Sequence, residues 1–268
     1  MKISILLPYK ENFSPEYPGA VSLFVYETTK ISNFKKNITI FGNTTFKKKF
    51  SLKYKNIELK RRPFGSQTRN YVKKFTDLER KNDSTIIEIH NRPSYIQILY
   101  KEFNTKIFTL YFHNDPLSMD GSQTIAERKN LLKICYRIIF NSSWSKKRFL
   151  EGMENKFVNS DKLLIFHQSA KKGSLNLINK KKKWITFVGK LNKAKGYDIF
   201  SSSIKRILNK YSDWTAKIIG DEKREKIILK HKRAEILGFR KHSEVLNIFK
   251  KSSIAVACSR WEEPFGRT

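Results

Sequence analysis

Short apolar runs rich in β-branched residues alternate with longer amphipathic stretches along the whole chain. This alternation is typical of β-α units whose strands join into parallel sheets. The apolar runs predict strands at residues 2–8, 38–42, 85–90, 106–112, 136–141, 163–167, 184–189, 214–219, 234–237 and 253–258. The amphipathic stretches predict helices at residues 20–34, 66–81, 92–103, 121–133, 143–151, 196–210, 222–232 and 243–251. The pattern therefore predicts an α/β fold.

One helix start also carries a capping pattern. Thr124 is followed three residues later by Glu127. In a capping box the hydroxyl and the carboxylate each accept a hydrogen bond from the other residue's amide, which satisfies two donors of the first turn. The pair therefore predicts a helix that begins at this point.

A polar, basic stretch at residues 169–183 shows no clear period and interrupts the alternation. We interpret it as a linker with the boundary near residue 175, so that an N-terminal domain covers residues 1–175 and a C-terminal domain residues 176–268. Both faces of a parallel sheet need cover, and no helix follows the last predicted strand. The second domain is therefore expected to be incomplete, and the 268-residue chain by itself poorly stable and nearly inactive.

The net charge widens the range of possible partners. The chain has 55 Lys and Arg against 24 Asp and Glu, a formal net charge of +31. Such a field attracts nucleic acid, anionic lipid or phosphorylated substrates without a specific site. Lys supplies 41 of the basic residues, and an AT-rich coding sequence explains that bias as easily as selection for binding. For the run Lys180 to Lys183 we favour a solvated linker over a contact with a membrane or polyanion.

Nothing in the sequence indicates a membrane-spanning or disulfide-rich protein. No run approaches the roughly 18 consecutive apolar residues that a membrane helix needs. The apolar start after Met1 is shorter than the core of a secretory signal and ends in Pro8 and Lys10. Cys135 and Cys258 lie far apart and form no metal-binding pattern, so both are expected to be core thiols. We therefore expect a folded cytoplasmic protein.

The first candidate site follows the predicted strand at residues 184–189. Gly189 ends this strand, a basic loop with Lys190 and Lys195 follows, and the next helix begins near Gly196. The free amides and the dipole of a helix that follows a parallel strand favour a bound anion. Two lysines beside them suit a diphosphate, and an ordinary βα turn in a Lys-rich protein is the alternative. The loop contains neither a Walker A motif nor a dinucleotide-binding glycine pattern.

The second candidate site follows the last predicted strand. Glu262 and Glu263 come soon after that strand and precede Gly266, where backbone can approach a ligand. Carboxylates accept hydrogen bonds from sugar hydroxyls. The segment therefore suits recognition of a sugar, and a solvated acidic loop is the alternative.

Several segments of the C-terminal part carry motifs that occur together in one enzyme family. They are Val-Gly-Lys-Leu-Asn-Lys-Ala-Lys-Gly-Tyr-Asp at 188–198, Ala-Lys-Ile-Ile-Gly-Asp at 216–221, Leu-Gly-Phe at 237–239, His-Ser-Glu-Val-Leu at 242–246 and Glu-Glu-Pro-Phe-Gly at 262–266. In this order they resemble the donor-binding domain of the family 4 glycosyltransferases. That family has the GT-B fold, in which two Rossmann-like domains face each other across a cleft. The resemblance is strong over residues 184–268 and looser in the N-terminal part.

The resemblance assigns the nucleotide diphosphate to the loop before the helix. A basic pair holds the diphosphate in that family, and Lys190 and Lys195 stand at the matching positions. Family members usually carry Arg at the first of them. Lys keeps the charge but lacks the planar fork that grips phosphate in a bidentate way. The contribution of Lys195 is therefore expected to be clearer than that of Lys190.

The resemblance also assigns the donor sugar to the last segment. The first Glu of the family's Glu-x7-Glu signature corresponds to Glu263, which would contact the sugar. The second, a ribose contact, would fall three residues beyond Thr268. The backbone of Phe265, Gly266, Arg267 and Thr268 would face the sugar and the phosphates of the donor.

A glycine in the N-terminal part matches a further family motif. Pro-Gly-Ala at residues 18–20 resembles the glycine-rich loop after the first strand. A single glycine, Gly19, replaces the usual pair. The absence of a side chain at Gly19 would let the backbone approach the donor phosphate.

A histidine at a strand end matches as well. Phe-Thr-Leu-Tyr-Phe-His-Asn-Asp-Pro at residues 108–116 resembles the segment in which the family's strand-end histidine projects into the cleft. His113 would then lie near the transferred sugar, and a hydrogen-bonded core or capping histidine is the alternative. Glu88, His90 and Arg92 end another strand at the same edge and are a further candidate for acceptor binding.

The resemblance implies a nucleotide-sugar-dependent hexosyltransferase that retains the anomeric configuration, with His113 and Glu263 as catalytic residues. The acceptor would be a glycan or a lipid-linked molecule, as in surface polysaccharide or lipopolysaccharide synthesis. We expect no metal or other cofactor, because no Asp-x-Asp motif lies near these loops and lysines with a helix N-terminus can stabilise the departing diphosphate. The enzyme is expected in the cytoplasm, in peripheral contact with the anionic inner face of the membrane.

Other functions remain open at this point. A nucleotide-sugar epimerase or hydrolase of the same fold is one alternative. A basic nucleic-acid-binding protein is another, favoured by charge alone, but the chain lacks an aromatic RNP strand, zinc spacing and basic heptads, so no specific nucleic-acid partner is predicted. A non-enzymatic remnant is the third, because the second Glu of the signature is missing from this chain.

Overall fold

The computed structural model describes residues 1–59, 66–168, 180–222, 225–261 and 264–265. The chain divides into two compact units, unit 1 at Met1–Gln168 and unit 2 at Ser169–Thr268. Each unit has a parallel sheet of its own. The predicted boundary near residue 175 lies outside the described residues and stays a prediction.

A single seven-stranded sheet organises unit 1, in the order β3-β2-β1-β4-β5-β6-β7. Its strands are β1 Ile3–Leu6, β2 Ile38–Gly42, β3 Tyr54–Asn56, β4 Ile86–His90, β5 Ile107–Phe112, β6 Arg137–Phe140 and β7 Leu163–Ile165. Its helices are α1 Ala20–Ile31, α2 Gln67–Asn82, α3 Pro93–Glu102, α4 Ile125–Ile134 and α5 Ser143–Leu150. All neighbouring strands pair in parallel, so their carboxyl ends lie at one edge.

Apolar stripes on the helices cover both faces of this sheet. On α2 the buried residues Tyr71, Val72 and Phe75 recur at helical spacing and form one stripe. The core on this side joins side chains of α2, α3, α4 and α5 to the strands. On the other face α1 contributes Phe24 and Val25 to a second core around β1 and β2.

Unit 2 has a four-stranded parallel sheet in the order β10-β9-β8-β11. Its strands are β8 Lys182–Val188, β9 Thr215–Ile219, β10 Ala234–Ile236 and β11 Ser252–Val256. Its helices are α6 Tyr197–Lys210 and α7 His242–Lys251. The core lies on one side, where Phe200, Ile204 and Leu208 of α6 pack against β8 and β9. On the other side α7 has no buried residue, so unit 2 buries much less of its sheet than unit 1.

The structure confirms the predicted α/β fold and all the predicted strands, with ends shifted by one or two residues. The capping box at Thr124 is confirmed, since its hydroxyl accepts the Glu127 amide and the Glu127 carboxylate accepts the Thr124 amide. Strand β3 was not predicted, because it has only three residues and one of them is Lys55. Cys135 is buried as expected, whereas Cys258 is half-buried and only partly a core thiol.

The predicted helix at residues 222–232 is wrong. The described residues of that segment form no helix, although their composition favours one. Instead Leu229 is buried in the unit 2 core, and the Glu225 carboxylate accepts the Lys193 amide at 3.0 Å. These tertiary contacts override the local helix propensity. In the part of the chain that the structure describes, no helix has the length and apolar character to cross a membrane.

Candidate functional site

Several polar residues of unit 1 come directly after buried strands and meet at the carboxyl edge of its sheet. His90 ends β4 and Asn91 follows it, His113 follows β5, and Asn141 follows β6. Because β4, β5 and β6 are neighbours in the parallel sheet, these ends lie side by side. The sequence-predicted His113 therefore lies next to His90, which was a further candidate.

The buried His113 is held by hydrogen bonds on its backbone and on its ring. Its amide donates to Asn91 Oδ1 at 2.7 Å, and its carbonyl accepts from Asn141 Nδ2 at 2.8 Å. Its ring Nε2 lies 2.8 Å from His90 Nδ1, and Gln168 contacts its Nδ1. His113 is thus a hydrogen-bonded residue at a strand end, as the alternative interpretation expects, and its role beside the transferred sugar stays a prediction.

Aromatic rings and the Glu88 carboxylate surround His90 and its neighbour His113. Its Nε2 lies 2.8 Å from Glu88 Oε1, and its ring stacks on Tyr111 with the centroids 4.8 Å apart. Phe24 of α1 packs edge-on against His113 at a centroid distance of 5.0 Å. Burial raises the pKa of the Tyr111 hydroxyl well above its ordinary value, so Tyr111 stays neutral. The two histidines are therefore enclosed by aromatic faces.

The backbone at Asn91 is unusual. Its φ of 51° lies in the left-handed region, which costs most residues about 1–2 kcal/mol and which Asn tolerates best after Gly. This conformation turns the chain after β4 so that the Asn91 side chain reaches the His113 amide. Backbone of this kind occurs often at functional sites.

Glu11 occupies the start of α1. Its Oε1 accepts the Ser22 amide at 3.0 Å, and a Cβ placed on Gly19 would lie 1.9 Å from that same oxygen. Gly19 therefore makes room for the Glu11 carboxylate, and its predicted proximity to the donor phosphate stays a prediction. Burial raises the pKa of the Glu11 carboxyl, against the opposing effects of the Ser22 amide and the charge of Arg92.

In unit 2 the loop after β8 is shaped by glycines. Gly196 has a φ of 69°, and a Cβ on it would lie 1.8 Å from the Cys258 carbonyl oxygen. A Cβ on Gly220 would likewise lie 1.8 Å from the carbonyl oxygen of Gly189. The half-buried Lys195 packs along this loop, with its Cγ 3.8 Å from where a Cβ of Gly189 would lie, while Lys190 is exposed.

The first amides of α6 are engaged within the protein. The Tyr197 amide donates to the Asn192 carbonyl at 3.1 Å. A hydrogen bond from Arg260 lowers the pKa of the Asp198 carboxyl, which also accepts the Ile199 amide. The sequence predicted that these amides are free to bind an anion. In this structure they donate to Asn192 and Asp198 instead.

The loop after β8 is joined to the loop after β11. The Ala194 carbonyl accepts the amides of Arg260 and Trp261 at 3.0 and 3.1 Å. Arg260 Nη1 donates to Asp198 Oδ1 at 2.6 Å, and Cys258 Sγ to the Gly196 carbonyl at 3.2 Å. The chain is thereby held beside the basic loop up to the residue that precedes the acidic pair.

The other predicted site residues divide into two groups. Glu263, Gly266, Arg267 and Thr268 lie outside the described residues, so their roles stay predictions. Phe265 is described and half-buried. Nothing in the structure tests its predicted contact with the donor.

Sequence reasoning missed four residues of the unit 1 edge, namely Glu11, Asn91, Asn141 and Gln168. Asn91 and Asn141 could have been found, because each is the first residue after a buried strand. Glu11 and Gln168 carry no local signal, since they reach the site from loops. In the described part of the chain, no group of three His, Cys, Asp or Glu residues could hold a metal ion.

A cavity of about 210 Å³ lies between α1 and the sheet of unit 1. Apolar residues such as Ile3, Ile5 and Phe24 line it, together with Glu88 and Tyr111. Glu88 therefore faces this cavity while its carboxylate bonds to His90.

The comparisons with known proteins agree with this architecture. Residues 170–268 match the family model of glycosyl transferases group 1. HepE of Anabaena, solved with UDP-glucose, superposes with a TM-score of 0.69 at 14% identity, over 100% of this chain and 76% of its own. The lipopolysaccharide outer core galactosyltransferase WaaB superposes with a TM-score of 0.61 at 16% identity, over 99% of this chain and 76% of its own.

Other enzymes share the fold too. A UDP-N-acetylglucosamine 2-epimerase from Rickettsia bellii superposes with a TM-score of 0.58 at 9% identity, over 95% of this chain and 73% of its own. No curated protein sequence matches the chain. Structural likeness at such low identity establishes the fold alone. Residues 170–268 thus match the model of glycosyl transferases group 1, and the chain is similar in fold to the GT-B glycosyltransferases HepE and WaaB.

Proposed function

We propose that the protein transfers a hexose from a nucleotide-sugar donor, most simply a UDP-sugar, to a glycan or lipid-linked acceptor. One observation carries the proposal: in the group 1 domain, the loop with Lys190 and Lys195 is joined to the loop that leads into Glu263. A diphosphate bound at the first loop and a sugar bound at the second would therefore lie close together. The presence of UDP-glucose in HepE supports the choice of nucleotide.

The difficult step in such a transfer is the departure of a nucleoside diphosphate. Positive charge beside the phosphates stabilises the negative charge that develops there. In this proposal Lys195 and Lys190 supply that charge, with backbone of Phe265 to Thr268 facing the phosphates and sugar, so that no metal ion is required. His113 and Glu263 contact the transferred sugar, Gly19 lies at the donor phosphate, and the reaction retains the anomeric configuration.

Binding of UDP tests the donor site directly. We expect Lys195→Met to weaken UDP binding about 10–100-fold in calorimetry, because a hydrogen bond to a charged group contributes about 1.5–3 kcal/mol. Lys190→Met should have a smaller effect, since its side chain is more exposed. Lys205→Met on the exposed side of α6 is the matched control and should bind like the natural protein. Equal affinity of all three variants for UDP would show that the diphosphate does not bind at this loop.

Chelation and stereochemistry test the remaining parts. Any turnover of a UDP-hexose should persist in excess chelator, and proton NMR of the product should show the anomeric configuration of the donor. Dependence on an added divalent cation would refute the metal-free mechanism. An inverted product would refute retention and leave donor binding intact.

The acceptor and the location belong to the same proposal. A formal net charge of +31 favours contact with anionic lipid, which suits a lipid-linked acceptor in surface polysaccharide or lipopolysaccharide synthesis. We expect sedimentation with vesicles that contain phosphatidylglycerol and release by added salt. Equal sedimentation with uncharged vesicles would argue against this contact.

Epimerisation is the second candidate, because the superposition with the Rickettsia bellii enzyme shows that the fold also serves a 2-epimerase. An epimerase converts its nucleotide-sugar without an acceptor. Incubation of UDP-N-acetylglucosamine alone should leave it unchanged if the protein is a transferase. Appearance of its C2 epimer would favour the second candidate.

A further inference from the structure

Polar side chains in unit 1 form one continuous chain of contacts from the cavity below α1 to the carboxyl edge of the sheet. Glu88 Oε1 lies 2.8 Å from His90 Nε2, and His90 Nδ1 lies 2.8 Å from His113 Nε2. Gln168 Nε2 contacts His113 Nδ1 at the far end. His90 is fully buried, and His113 and Gln168 are each 8% exposed. Water therefore has little access to the two contacts of the His113 ring, whereas the Glu88 side chain is 21% exposed.

The order of donors and acceptors along this chain follows from Glu88. An ionised carboxylate only accepts hydrogen bonds, so His90 Nε2 carries a proton and donates a hydrogen bond to Glu88. In a neutral His90 the other nitrogen, Nδ1, is then an acceptor, and His113 Nε2 must carry a proton. His113 Nδ1 is in turn an acceptor, which matches the amide nitrogen of Gln168 as its donor. Each contact has one donor and one acceptor.

We propose that Glu88 and His90 are positioning residues that hold His113 as the Nε2-protonated tautomer, with an acceptor lone pair on Nδ1. Without an acceptor at position 88, the opposite order is favoured, because the original order would leave the buried Nε2 proton of His90 without an acceptor. His90 Nδ1 would donate to His113 Nε2, and His113 Nδ1 would donate to the oxygen of Gln168. The carboxylate at one end thus decides which nitrogen of His113 can accept a hydrogen bond at the other end.

Other charged groups near His90 and His113 do not determine which ring nitrogens carry the protons. Glu11 interacts electrostatically with both Arg92 and His90. Arg92 donates to the Asn91 carbonyl at 2.6 Å, and Glu11 accepts the Ser22 amide. Neither makes a hydrogen bond to a histidine ring nitrogen among the described contacts, whereas Glu88 does.

The consequence for the reaction rests on the proposed function. A lone pair on His113 Nδ1 can accept a hydrogen bond from a sugar hydroxyl that takes the place of the Gln168 amide. Loss of the tautomer would remove that acceptor and leave a donor in its place. The effect should appear in kcat as a fall of about tenfold, which is the lower end of the range observed when a group that orients a metal-bound histidine is removed.

Nitrogen NMR tests the tautomer in the whole chain without any substrate. The chain has five histidines, and two-bond proton–nitrogen correlation distinguishes the two neutral forms at about pH 8, where ordinary histidines are uncharged. We expect the Nε2-protonated form for His90 and His113 in the natural protein and in Glu88→Gln, whose amide oxygen still accepts. In Glu88→Met we expect loss of that form at His113.

Two control variants distinguish the effect of Glu88 on the tautomer from the effects of other polar side chains. Glu102→Met removes an exposed carboxylate of α3 and should leave the histidine signals unchanged. Gln168→Leu should also keep the Nε2-protonated form, because the order is set from the Glu88 end. If Glu88→Met does not fold, the tautomer of His113 in Gln168→Leu tests the proposal. An Nδ1-protonated His113 in the natural protein, or a change of tautomer in Gln168→Leu, overturns the proposal.

Turnover distinguishes this proposal from the proposed function. If the tautomers are as expected and no sugar transfer occurs, the transfer reaction is refuted and the positioning by Glu88 stands. If transfer occurs and the tautomer of His113 does not depend on Glu88, the positioning is refuted and the reaction stands. Recovery of kcat in Glu88→Gln relative to Glu88→Met would support both.

Discussion

The two units hold the loops at their strand ends by different means. In unit 1, side chains of Asn91, Asn141 and Gln168 bond to His113, and each of these side chains is buried or nearly so. In unit 2, the loops after β8 and β11 meet mainly through backbone. The Ala194 carbonyl accepts two amides of the other loop, and Gly196 lets the Cys258 carbonyl come close.

This difference determines what each edge can present to a ligand. The unit 1 edge has its polar groups paired with one another, which fixes their orientation before any ligand arrives. The unit 2 edge is held mainly by backbone hydrogen bonds and by the close approach of backbone at Gly196. Unit 1 should therefore be sensitive to loss of a polar side chain, and unit 2 to the addition of a Cβ.

The largest effect is expected from Gly196→Ala. A left-handed backbone costs a residue with a Cβ about 1–2 kcal/mol, and here the Cβ would also lie 1.8 Å from the Cys258 carbonyl oxygen. We expect the free energy of unfolding of unit 2 to fall by about 3–4 kcal/mol. Urea unfolding followed by tryptophan fluorescence reports mainly on unit 2, which contains Trp184, Trp214 and Trp261, and a Trp144→Phe background removes the signal of the one tryptophan in unit 1.

Gly238→Ala is the matched control for that change. Gly238 has nearly the same φ, 66°, but nothing lies within 4 Å of a Cβ placed on it. Its replacement should cost only the left-handed backbone, about 1–2 kcal/mol. Equal losses in the two variants would show that close backbone packing at Gly196 does not hold the loops together.

The second effect is expected in unit 1, from Asn141→Leu. This change leaves the His113 carbonyl without the Asn141 Nδ2 donor and Ser145 Oγ without its acceptor, and all three residues are buried. A buried polar group without a partner costs about 1–3 kcal/mol. Hydrogen exchange of unit 1 amides should show that loss, while the exposed control Asn159→Leu should stay within about 0.5 kcal/mol of the natural protein. Similar exchange in both variants would contradict the role of side chains at this edge.

The fold was predictable because apolar runs report directly on buried parallel strands. Local pattern failed where distant contacts decide the structure. Residues 222–232 have the composition of a helix, but Glu222 and Glu225 bond to the loop after β8 instead. Strand β3 was missed because three residues are too few for a period to appear.

The candidate site was predictable to a smaller extent. His113 and the basic loop lie at strand ends, where a parallel sheet places its functional residues. Their partners come from afar in the sequence: Gln168 is 55 residues from His113, and no periodicity connects the two. The role of Gly19 as the neighbour of Glu11 likewise depends on how a loop folds back on a helix start.

The third effect concerns pH and is expected from Glu11→Gln. Burial raises the pKa of the Glu11 carboxyl above 4.5, its value in the unfolded chain. The unfolded state therefore loses this proton first, so the stability of unit 1 falls as the pH rises from about 4.5 through the folded pKa. Urea unfolding of the natural protein should show this decline relative to Glu11→Gln.

Glu16→Gln is the control, because Glu16 lies in the same loop and is exposed. Its unfolding free energy should follow the natural protein at each pH. A decline that is identical in Glu11→Gln would mean that the carboxylate at the start of α1 is not the group that titrates.

The smallest effect is expected from Arg260→Gln, although this change removes the ion pair that links the two loops of unit 2. Arg260 and Asp198 are exposed to 48% and 29%, and solvent-exposed pairs contribute little to stability. The hydrogen bond from Arg260 lowers the pKa of Asp198. The stability that this ion pair contributes is therefore present above the ordinary pKa of an aspartate and is lost as the pH falls. We therefore expect a difference close to experimental error at neutral pH and none in acid. A loss as large as that of Gly196→Ala would mean that a side-chain pair, rather than backbone, holds the loops of unit 2, and the contrast between the units would fail.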